Sequence, residues 1–201
     1  MKILQQIRSR LMYPAAYAYV SAQSKINSFK SIGKKENIVF AAPYSGQKIM
    51  LMALYEKGDL RDDVLVALSA ARQQGIYVVC VNTLKITAPE RYEGYIDCYI
   101  EKYNFGRDFG SYKTGFEYLY RTGISADCPR LLLINDSVFF SKKHIHKFIA
   151  DMLSSPCEVL GATENYEIEH HLGSFCIAIS GGVLNAAKLK DYWKGYRNTD
   201  V

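Results

Sequence analysis

The sequence predicts an α/β domain: a Rossmann-like, mostly parallel sheet with helices on both faces, preceded by a basic helical arm. Strand-like runs rich in β-branched residues alternate along the chain with amphipathic segments of helical spacing, which is the pattern of βαβ units. The strand-like runs also lack the alternation of a half-exposed strand, as expected when both faces of a sheet are covered. With 201 residues, 49% of them hydrophobic, the chain is long enough for one domain with a substantial core.

The basic arm is predicted from the distribution of charge. Residues 1–35 contain seven lysines and arginines and no acidic residue, whereas the rest of the chain has 18 basic and 20 acidic side chains. The net charge of +5 therefore belongs to the arm, and we expect an arm over residues 1–35 and a single domain over residues 36–201. No run of about 18 apolar residues occurs, so no membrane-spanning helix is expected.

The arm is predicted to be an amphipathic helix with Leu4, Ile7, Leu11 and Met12 on one side. With basic residues on the opposite side, such a helix suits an anionic membrane surface. The alternatives are a disordered basic tail or a tail packed on a partner. A cleaved signal peptide is not expected, because Pro14 and several tyrosines make the segment poorly hydrophobic.

The five cysteines are scattered and lie mostly inside apolar runs. No CxxC pair and no Cys/His ligand spacing is present, so we expect buried thiols in a reducing compartment and no zinc site.

The first predicted strand is NIVFAAP, residues 37–43, a short apolar run that ends at a proline. After a loop, residues 59–75 are predicted to form a helix, because apolar residues recur at helical spacing up to the helix-ending Gly75. The β-branched run IYVVCVN at residues 76–82 and the run IDCYIE at residues 96–101 are predicted to be the second and third strands.

The second half of the chain repeats this alternation. A helix is predicted to begin near Asp108 and to end at Gly123, with Phe109, Tyr112 and Phe116 among the residues that face inward. The remaining predicted elements are, in chain order, a strand at 130–135, a helix at 142–153, strands at 157–162 and 174–180, and a helix at 183–196.

The segment YNFGRDFG joins the third strand to the following helix and carries the first candidate site. Gly106 permits unusual backbone dihedrals, and the forked guanidinium of Arg107 suits two phosphate oxygens. Backbone N–H groups at the start of the helix add positive potential. Asn104 and Asp108 could bind a ribose or a base edge. The alternative is a capped helix start with an Arg107–Asp108 ion pair.

The segment LLLINDSVFF contains the second candidate site. Four apolar residues are followed by Asn135, Asp136 and Ser137, a lone carboxylate beside amide and hydroxyl oxygens. Such oxygens suit a divalent cation, Mg²⁺ or Mn²⁺, that takes its other ligands from water and a substrate diphosphate. The alternative is that Asp136 and Ser137 only cap the next turn. Because ligands of parallel sheets bind beyond the carboxyl ends of the strands, we expect both segments at the same edge.

A third polar segment, GATENYEIEHHLGS, is predicted to be a loop between strands. The Glu164 carboxylate or the His171 imidazole could deprotonate an acceptor hydroxyl, although a solvated acidic loop is the alternative. The chain has no GxGxxG after its first strand and no GxxxxGK[ST], which excludes the usual nicotinamide fingerprint and the P-loop.

Taken in order over about residues 37–197, the segments NFGRDFGSYKTG, LLLINDSVFF, LGATENYEIEHHLGSFCIAI and KDYWKGY resemble the rhamnan synthesis protein F family. The resemblance implies a GT-A-like domain that transfers a sugar, such as rhamnose, from a nucleotide diphosphate donor, such as dTDP-rhamnose. The acceptor would be a growing surface polysaccharide or a lipid-linked glycan. The implied place is the cytoplasm, at the inner face of the cytoplasmic membrane, and no nucleic-acid partner is expected.

The resemblance also assigns roles to residues of this chain. Asp136 stands where related enzymes keep a metal-binding acidic motif, and Thr163, His171 and Ser174 would line the donor or acceptor sugar. From the residues themselves, Glu164 or His171 is the expected catalytic base. The expected donor-binding residues are Asn104, Gly106, Arg107, Asp108, Asn135, Ser137, Thr163 and Ser174.

Two other functions remain open from the sequence. One is a catalytically inactive transferase-like module that binds a glycan or a partner protein, and the other is a nucleotide-sugar hydrolase. The first predicted strand ends in AAPYSG, where an acidic or histidine-bearing turn is expected for the family.

Overall fold

A computed structural model describes residues 2–31, 33–34, 36–166 and 169–197. The described residues form a seven-stranded sheet in the order β1-β4-β3-β2-β5-β9-β6 and a separate two-stranded hairpin, β7–β8. The strands are β1 (Asn37–Ala41), β2 (Ile49–Leu54), β3 (Tyr77–Asn82), β4 (Cys98–Glu101), β5 (Arg130–Asn135), β6 (Val159–Gly161), β7 (Glu164–Asn165), β8 (His171–Leu172) and β9 (Cys176–Ser180). The helices are α1 (Lys2–Ser31), α2 (Asp62–Gln73), α3 (Arg107–Thr122), α4 (Ile145–Ser154), α5 (Gly181–Leu184) and α6 (Ala187–Gly195), with a 3₁₀ turn at Pro89–Tyr92.

The prediction of a mostly parallel α/β sheet is confirmed. Strands β4, β3, β2 and β5 are parallel neighbours, while β1 is antiparallel to β4 and β9 is antiparallel to β5 and β6. The apolar core divides into two clusters, one between the sheet and α2 and α4, the other between the sheet and α3 and α6. Helices therefore cover both faces.

The central strand β2 was not predicted. Its sequence IMLMAL is buried at every position, and it lies between β3 and β5. The sequence interpretation left residues 44–58 in a loop, because IMLMAL has only one β-branched residue among Met, Leu and Ala, which are weaker signals of a strand than Val and Ile. Alternate residues of β2 face the two layers: Met50 and Met52 pack in the α2/α4 cluster, and Ile49 and Leu51 pack in the α3/α6 cluster.

Because β2 was not predicted, the turn after the first parallel strand was wrongly identified. The segment NIVFAAP forms β1, an antiparallel edge strand, so AAPYSG does not end a parallel strand. The turn that follows β2 reads YEKGD and is acidic at Glu56.

The topology places a switch point between β2 and β5. From β2 the chain moves through β3 to β4 on one side, then crosses back to β5 on the other side of β2. In parallel α/β sheets, the crevice at the carboxyl ends of the strands on either side of such a reversal is where ligands bind. The ends of β2 and β5, at Leu54 and Asn135, therefore mark the candidate site.

Two further elements differ from prediction. The segment 183–196, expected to be one helix, is divided into α5 and α6 by a turn at Asn185. The segment containing Glu164 and His171, expected to be a loop, carries the hairpin β7–β8. The helix at residues 107–122 is confirmed, and Gly123 follows it with a φ of +79°, a left-handed conformation that glycine adopts without strain.

The arm is helical, as predicted, and α1 continues through Pro14. The side chains of residues 1–12, including the predicted apolar side at Leu4, Ile7, Leu11 and Met12, lie outside the described part. Within the described residues, no helix combines the length and the apolar character that a membrane crossing requires.

Candidate functional site

A cavity of about 390 Å³ opens at the carboxyl ends of β2 and β3, beside the start of α3. Its lining consists of Leu54, Tyr55, Thr83, Asn104, Arg107 and Asp108. Three of the predicted donor-binding residues are therefore on the wall of one cavity at the switch point. A second cavity, of about 370 Å³, shares Thr83 and Asn104 with the first and extends across the end of β4 towards Tyr103. The two cavities together form a groove along the carboxyl edge of the sheet.

The turn before α3 has an unusual backbone conformation. Gly106 has a φ of +79° and Arg107 a φ of +45°, so two consecutive residues are left-handed. The first helical hydrogen bond runs from Gly110 N–H to the Gly106 carbonyl at 2.7 Å. A left-handed arginine is unfavourable by about 1–3 kcal/mol, and such strain concentrates at functional sites. The turn directs an exposed Arg107 into the cavity wall.

The Asp136 carboxylate joins β5 to the turn after β2. Its Oδ2 accepts a hydrogen bond from Tyr55 N–H at 2.7 Å, while Asp136 N–H donates to the Ala53 carbonyl at 3.2 Å. Arg61 donates to the Asp136 carbonyl at 2.8 Å. Asp136 is 7% exposed and does not line the 390 Å³ cavity. The predicted metal ligand is thus held just beneath the site.

Asn135 connects the two predicted segments directly. Its Nδ2 donates to Asp108 Oδ2 at 2.7 Å, which ties β5 to the start of α3. Its Oδ1 accepts from Ser137 Oγ at 2.6 Å and from Ser137 N–H at 3.2 Å. The expectation that these segments share one edge of the sheet is confirmed, and Ser137 closes the turn after β5.

Burial and neighbouring charge raise the pKa values of two carboxyl groups around Asp136. The pKa of Asp108 is raised by burial and by the charge of Asp136, against an opposing effect of Arg107. The pKa of Glu56 is raised by burial and by Asp136, against an opposing effect of Arg61. Asp136 therefore lies between two carboxyl groups that both sense its charge, which is an excess of negative charge in a partly buried place.

This charge distribution fits a divalent cation that has few protein ligands. Among the described residues, no group of three or more His, Cys, Asp or Glu is arranged to hold a metal ion. Mg²⁺ in nucleotide sites commonly uses one or two carboxylates together with water and substrate phosphates. The two carboxylates of this place, Asp136 and Asp108, accept hydrogen bonds from Tyr55 N–H and Asn135 Nδ2.

Asn82, which ends β3, is a site-supporting residue that the sequence interpretation missed. Its Oδ1 accepts from Glu56 N–H at 3.1 Å, and its Nδ2 donates to the Glu56 carbonyl and to Tyr99 Oη, both at 2.9 Å. Thr83 follows it, and its hydroxyl lies 3.3 Å from Ser111 Oγ in α3. The sequence pattern that could have identified Asn82 is the polar pair Asn82–Thr83 at the end of a buried strand.

The hairpin β7–β8 stands at the same edge, because it joins the end of β6 to the start of β9. The Ser174 carbonyl accepts from Tyr112 Oη at 3.0 Å, which brings the base of the hairpin against α3. The Thr163 carbonyl accepts from Gly173 N–H at 2.8 Å. Neither Thr163 nor Ser174 lines the groove.

The two predicted bases are exposed on this hairpin and do not face each other. Glu164 pairs with Leu172, and His171 pairs with Asn165, so their side chains lie on opposite faces. Glu164 instead approaches His170, with 3.1 Å between Oε2 and Nε2. His171 Nδ1 lies 2.9 Å from the Glu169 carbonyl.

Comparison with known proteins gives distant likenesses. No protein-family model matches the chain, and no solved structure does. The uncharacterized protein y4gN of Sinorhizobium fredii is 25% identical over 184 residues, which are 88% of this chain and 47% of that protein. The virulence protein VirA of Vibrio anguillarum is 32% identical over 97 residues, which are 48% of this chain and 30% of VirA. The chain spans about half or less of the length of these curated relatives.

The left-handed Arg107 leads to a test of the turn. Glycine adopts this conformation without strain and alanine does not, so Arg107→Gly should be more stable than Arg107→Ala by about 1 kcal/mol. Urea unfolding of the two variants measures the difference, and both lack the guanidinium. Equal stabilities, or a more stable alanine variant, would contradict the left-handed turn.

The raised pKa of Asp108 predicts a stability change with a definite sign. A carboxyl group whose pKa is higher in the folded than in the unfolded state binds more protons when the protein is folded. As the pH rises above the unfolded-state pKa, ionisation of this group therefore lowers the stability of the fold. Asp108→Asn keeps an oxygen that can accept from Asn135 and removes this effect. The variant should therefore unfold a few degrees above the wild type at pH 7.5, a gain of roughly 1 kcal/mol.

Thermal unfolding between pH 3.5 and 7.5 measures the effect, and the advantage of Asp108→Asn should vanish at the acidic end. The exposed Asp191→Asn on α6 is the matched control and should change little at any pH. The stability of Asp108→Asn relative to the wild type could instead be lower at pH 7.5 than at pH 3.5. That result would show that Asp108 is not a desolvated carboxylate.

Proposed function

We propose that the protein is a glycosyltransferase with a GT-A-like domain, which transfers a sugar from a nucleotide diphosphate donor to a glycan acceptor. The observation that carries the proposal is the meeting of Arg107, the start of α3 and the Asp108–Asp136 carboxylates at the β2–β5 switch point. The resemblance to the rhamnan synthesis protein F family supports rhamnose as the sugar and a surface polysaccharide or lipid-linked glycan as the acceptor.

In this proposal the donor lies along the groove. The diphosphate occupies the cavity beside Arg107, whose guanidinium and neighbouring helix N–H groups offset its charge. The nucleoside extends past Thr83 and Asn104 towards Tyr103. A Mg²⁺ or Mn²⁺ ion held near Asp108 and Asp136 would neutralise the charge that develops on the departing diphosphate.

The transfer itself forms one bond and breaks one bond. The acceptor hydroxyl oxygen bonds to the anomeric carbon, and the bond from that carbon to the diphosphate oxygen breaks with its electron pair remaining on the nucleoside diphosphate. The hydroxyl proton passes to a base, for which Glu164 and His171 on the hairpin are the candidates. Positive charge on the anomeric carbon in the transition state is stabilised by nearby carboxylates.

We also propose that α1 holds the protein at the cytoplasmic face of an anionic membrane. Its described side chains include basic Lys25 and Lys30 and exposed Tyr13, Tyr17 and Phe29. Basic residues and aromatic rings on one helix are typical of segments that lie in the membrane interface.

Calorimetric titration with UDP and dTDP, with and without MnCl₂, tests the donor site. The wild type should bind at least one nucleoside diphosphate, and more tightly with Mn²⁺. Arg107→Gly should weaken binding at least about tenfold, because a charge-assisted phosphate contact is lost. Arg121→Ala is the matched control, since Arg121 lies in the last turn of the same helix and pairs with Glu36.

Absence of nucleotide binding under all conditions, or unchanged binding by Arg107→Gly, would reject the donor site. Binding without transfer to any glycan acceptor would favour the inactive module. Nucleotide release from a sugar donor at a rate independent of acceptor would identify a hydrolase.

Sedimentation with vesicles tests the arm. Lys25→Gln together with Lys30→Gln should weaken binding to phosphatidylglycerol vesicles about thirtyfold, because each basic residue near an anionic surface contributes about 1 kcal/mol. Added salt should weaken it further. Lys142→Gln with Lys143→Gln removes two exposed charges elsewhere as the control. Equal loss in both double variants would contradict a specific role of α1.

A further inference from the structure

An aromatic surface lies where the start of α3 meets the end of α6. It consists of Phe109, Tyr192 and Tyr196 and is called here the aromatic platform. The Phe109 and Tyr196 rings are stacked, with centroids 5.9 Å apart and an angle of 29°, and the Tyr192 and Tyr196 centroids are 6.0 Å apart. These three rings form one continuous cluster.

The platform is the outer layer of a two-layer aromatic stack. Phe109 is 36% exposed and Tyr192 is 49% exposed, whereas Trp193 beneath them is 4% exposed and stacks on Phe116 with centroids 4.6 Å apart. The buried Trp193 Nε1 has no hydrogen-bond partner among the described residues. Tyr196 packs against the core cluster, and Phe109 contacts Trp193 with centroids 6.2 Å apart. The exposed parts of Phe109 and Tyr192 remain accessible to a ligand.

The position of the platform connects it to the candidate site. Phe109 is the residue after Asp108, which lines the 390 Å³ cavity. Phe109 also meets Tyr112 edge to face at 5.9 Å, and Tyr112 Oη donates to the Ser174 carbonyl at the base of the hairpin. Lys113 Nζ donates to the Tyr196 carbonyl at 2.7 Å, which fixes the end of α6 against α3. The platform thus lies beside the cavity, on the side of the hairpin.

We propose that the aromatic platform binds a pyranose ring of the acceptor glycan, an inference that rests on the proposed transferase function. The negatively charged faces of aromatic rings attract the C–H groups on the flat face of a sugar. Two of the three rings are tyrosines, whose hydroxyl groups can exchange hydrogen bonds with sugar hydroxyls. Ring faces beside polar hydroxyls suit a hydrated sugar better than an acyl chain. An acceptor seated there would approach the anomeric carbon from the hairpin side of the diphosphate.

The chain contains a single tryptophan, which makes the platform directly observable. Trp193 fluorescence is recorded while methyl α-L-rhamnopyranoside, methyl β-D-glucopyranoside or methyl β-D-N-acetylglucosaminide is added, and saturation-transfer NMR records contact with the sugar protons. At least one glycoside should give a saturable change. Tyr192→Ala should weaken that binding at least about fivefold, and Phe109→Ala should do the same. Tyr166→Ala removes another exposed tyrosine, on the hairpin, as the control.

The more exposed Tyr192 keeps the test valid if Phe109→Ala fails to fold. No saturable binding of any glycoside by the wild type would overturn the proposal, as would unchanged binding by Tyr192→Ala. If Tyr192→Ala instead abolishes a concentration-dependent dimer seen by light scattering, the platform is a contact between copies and the proposal falls.

UDP and dTDP binding, measured on the same samples, separates this proposal from the donor site. Sugar binding without nucleotide binding would support sugar binding at the platform and would reject the transferase function. Nucleotide binding without sugar binding would remove the platform alone.

Discussion

The structure depends on the junction of β2 and β5 at their carboxyl ends. The two strands are parallel neighbours, and beyond their last paired residues the Asp136 carboxylate accepts the Tyr55 amide of the turn after β2. Because the chain reverses direction across the sheet here, the turns after β2 and β5 diverge and leave a crevice. A second hydrogen bond, from Asn135 to Asp108, ties the start of α3 to the end of β5.

Charge gives this crevice its chemical character. Burial and the charge of Asp136 raise the pKa values of both Glu56 and Asp108, although Arg61 and Arg107 act in the opposite direction. In the proposed complex, a divalent cation would lie near the carboxylates and phosphate oxygens would contact the guanidinium of Arg107.

The alternation of strands and helices predicted the mostly parallel α/β sheet but not every strand in it. The polar residues at Asn104–Asp108 and Asn135–Ser137 were identified because glycine, a guanidinium and carboxylates at strand ends have specific local meanings. The strand β2 was missed because IMLMAL has one β-branched residue among Met, Leu and Ala, and only its pairing with β3 and β5 identifies it as a strand. The turn that contains Glu56 was missed together with β2.

Other parts of the site could not be predicted because they depend on long-range contacts. The supporting role of Asn82 is recognisable only from its hydrogen bonds to the backbone of Glu56 in the turn after a neighbouring strand. The left-handed Arg107 follows from the fit of α3 against the sheet, because arginine has no local preference for that conformation. The aromatic platform joins Phe109 to Tyr196, which lie far apart in sequence and meet through the packing of α6 on α3.

The most direct measurement is the paramagnetic effect of Mn²⁺ on backbone amide signals in the presence of UDP or dTDP. Relaxation by Mn²⁺ falls steeply with distance, so it locates the ion without a crystal. A nucleotide-dependent Mn²⁺ site at the β2–β5 junction predicts loss of the amide signals of Tyr55, Glu56, Asp108 and Asp136, and retention of those of α4 and α5. Broadening centred elsewhere, or the same weak broadening with and without nucleotide, would contradict the account.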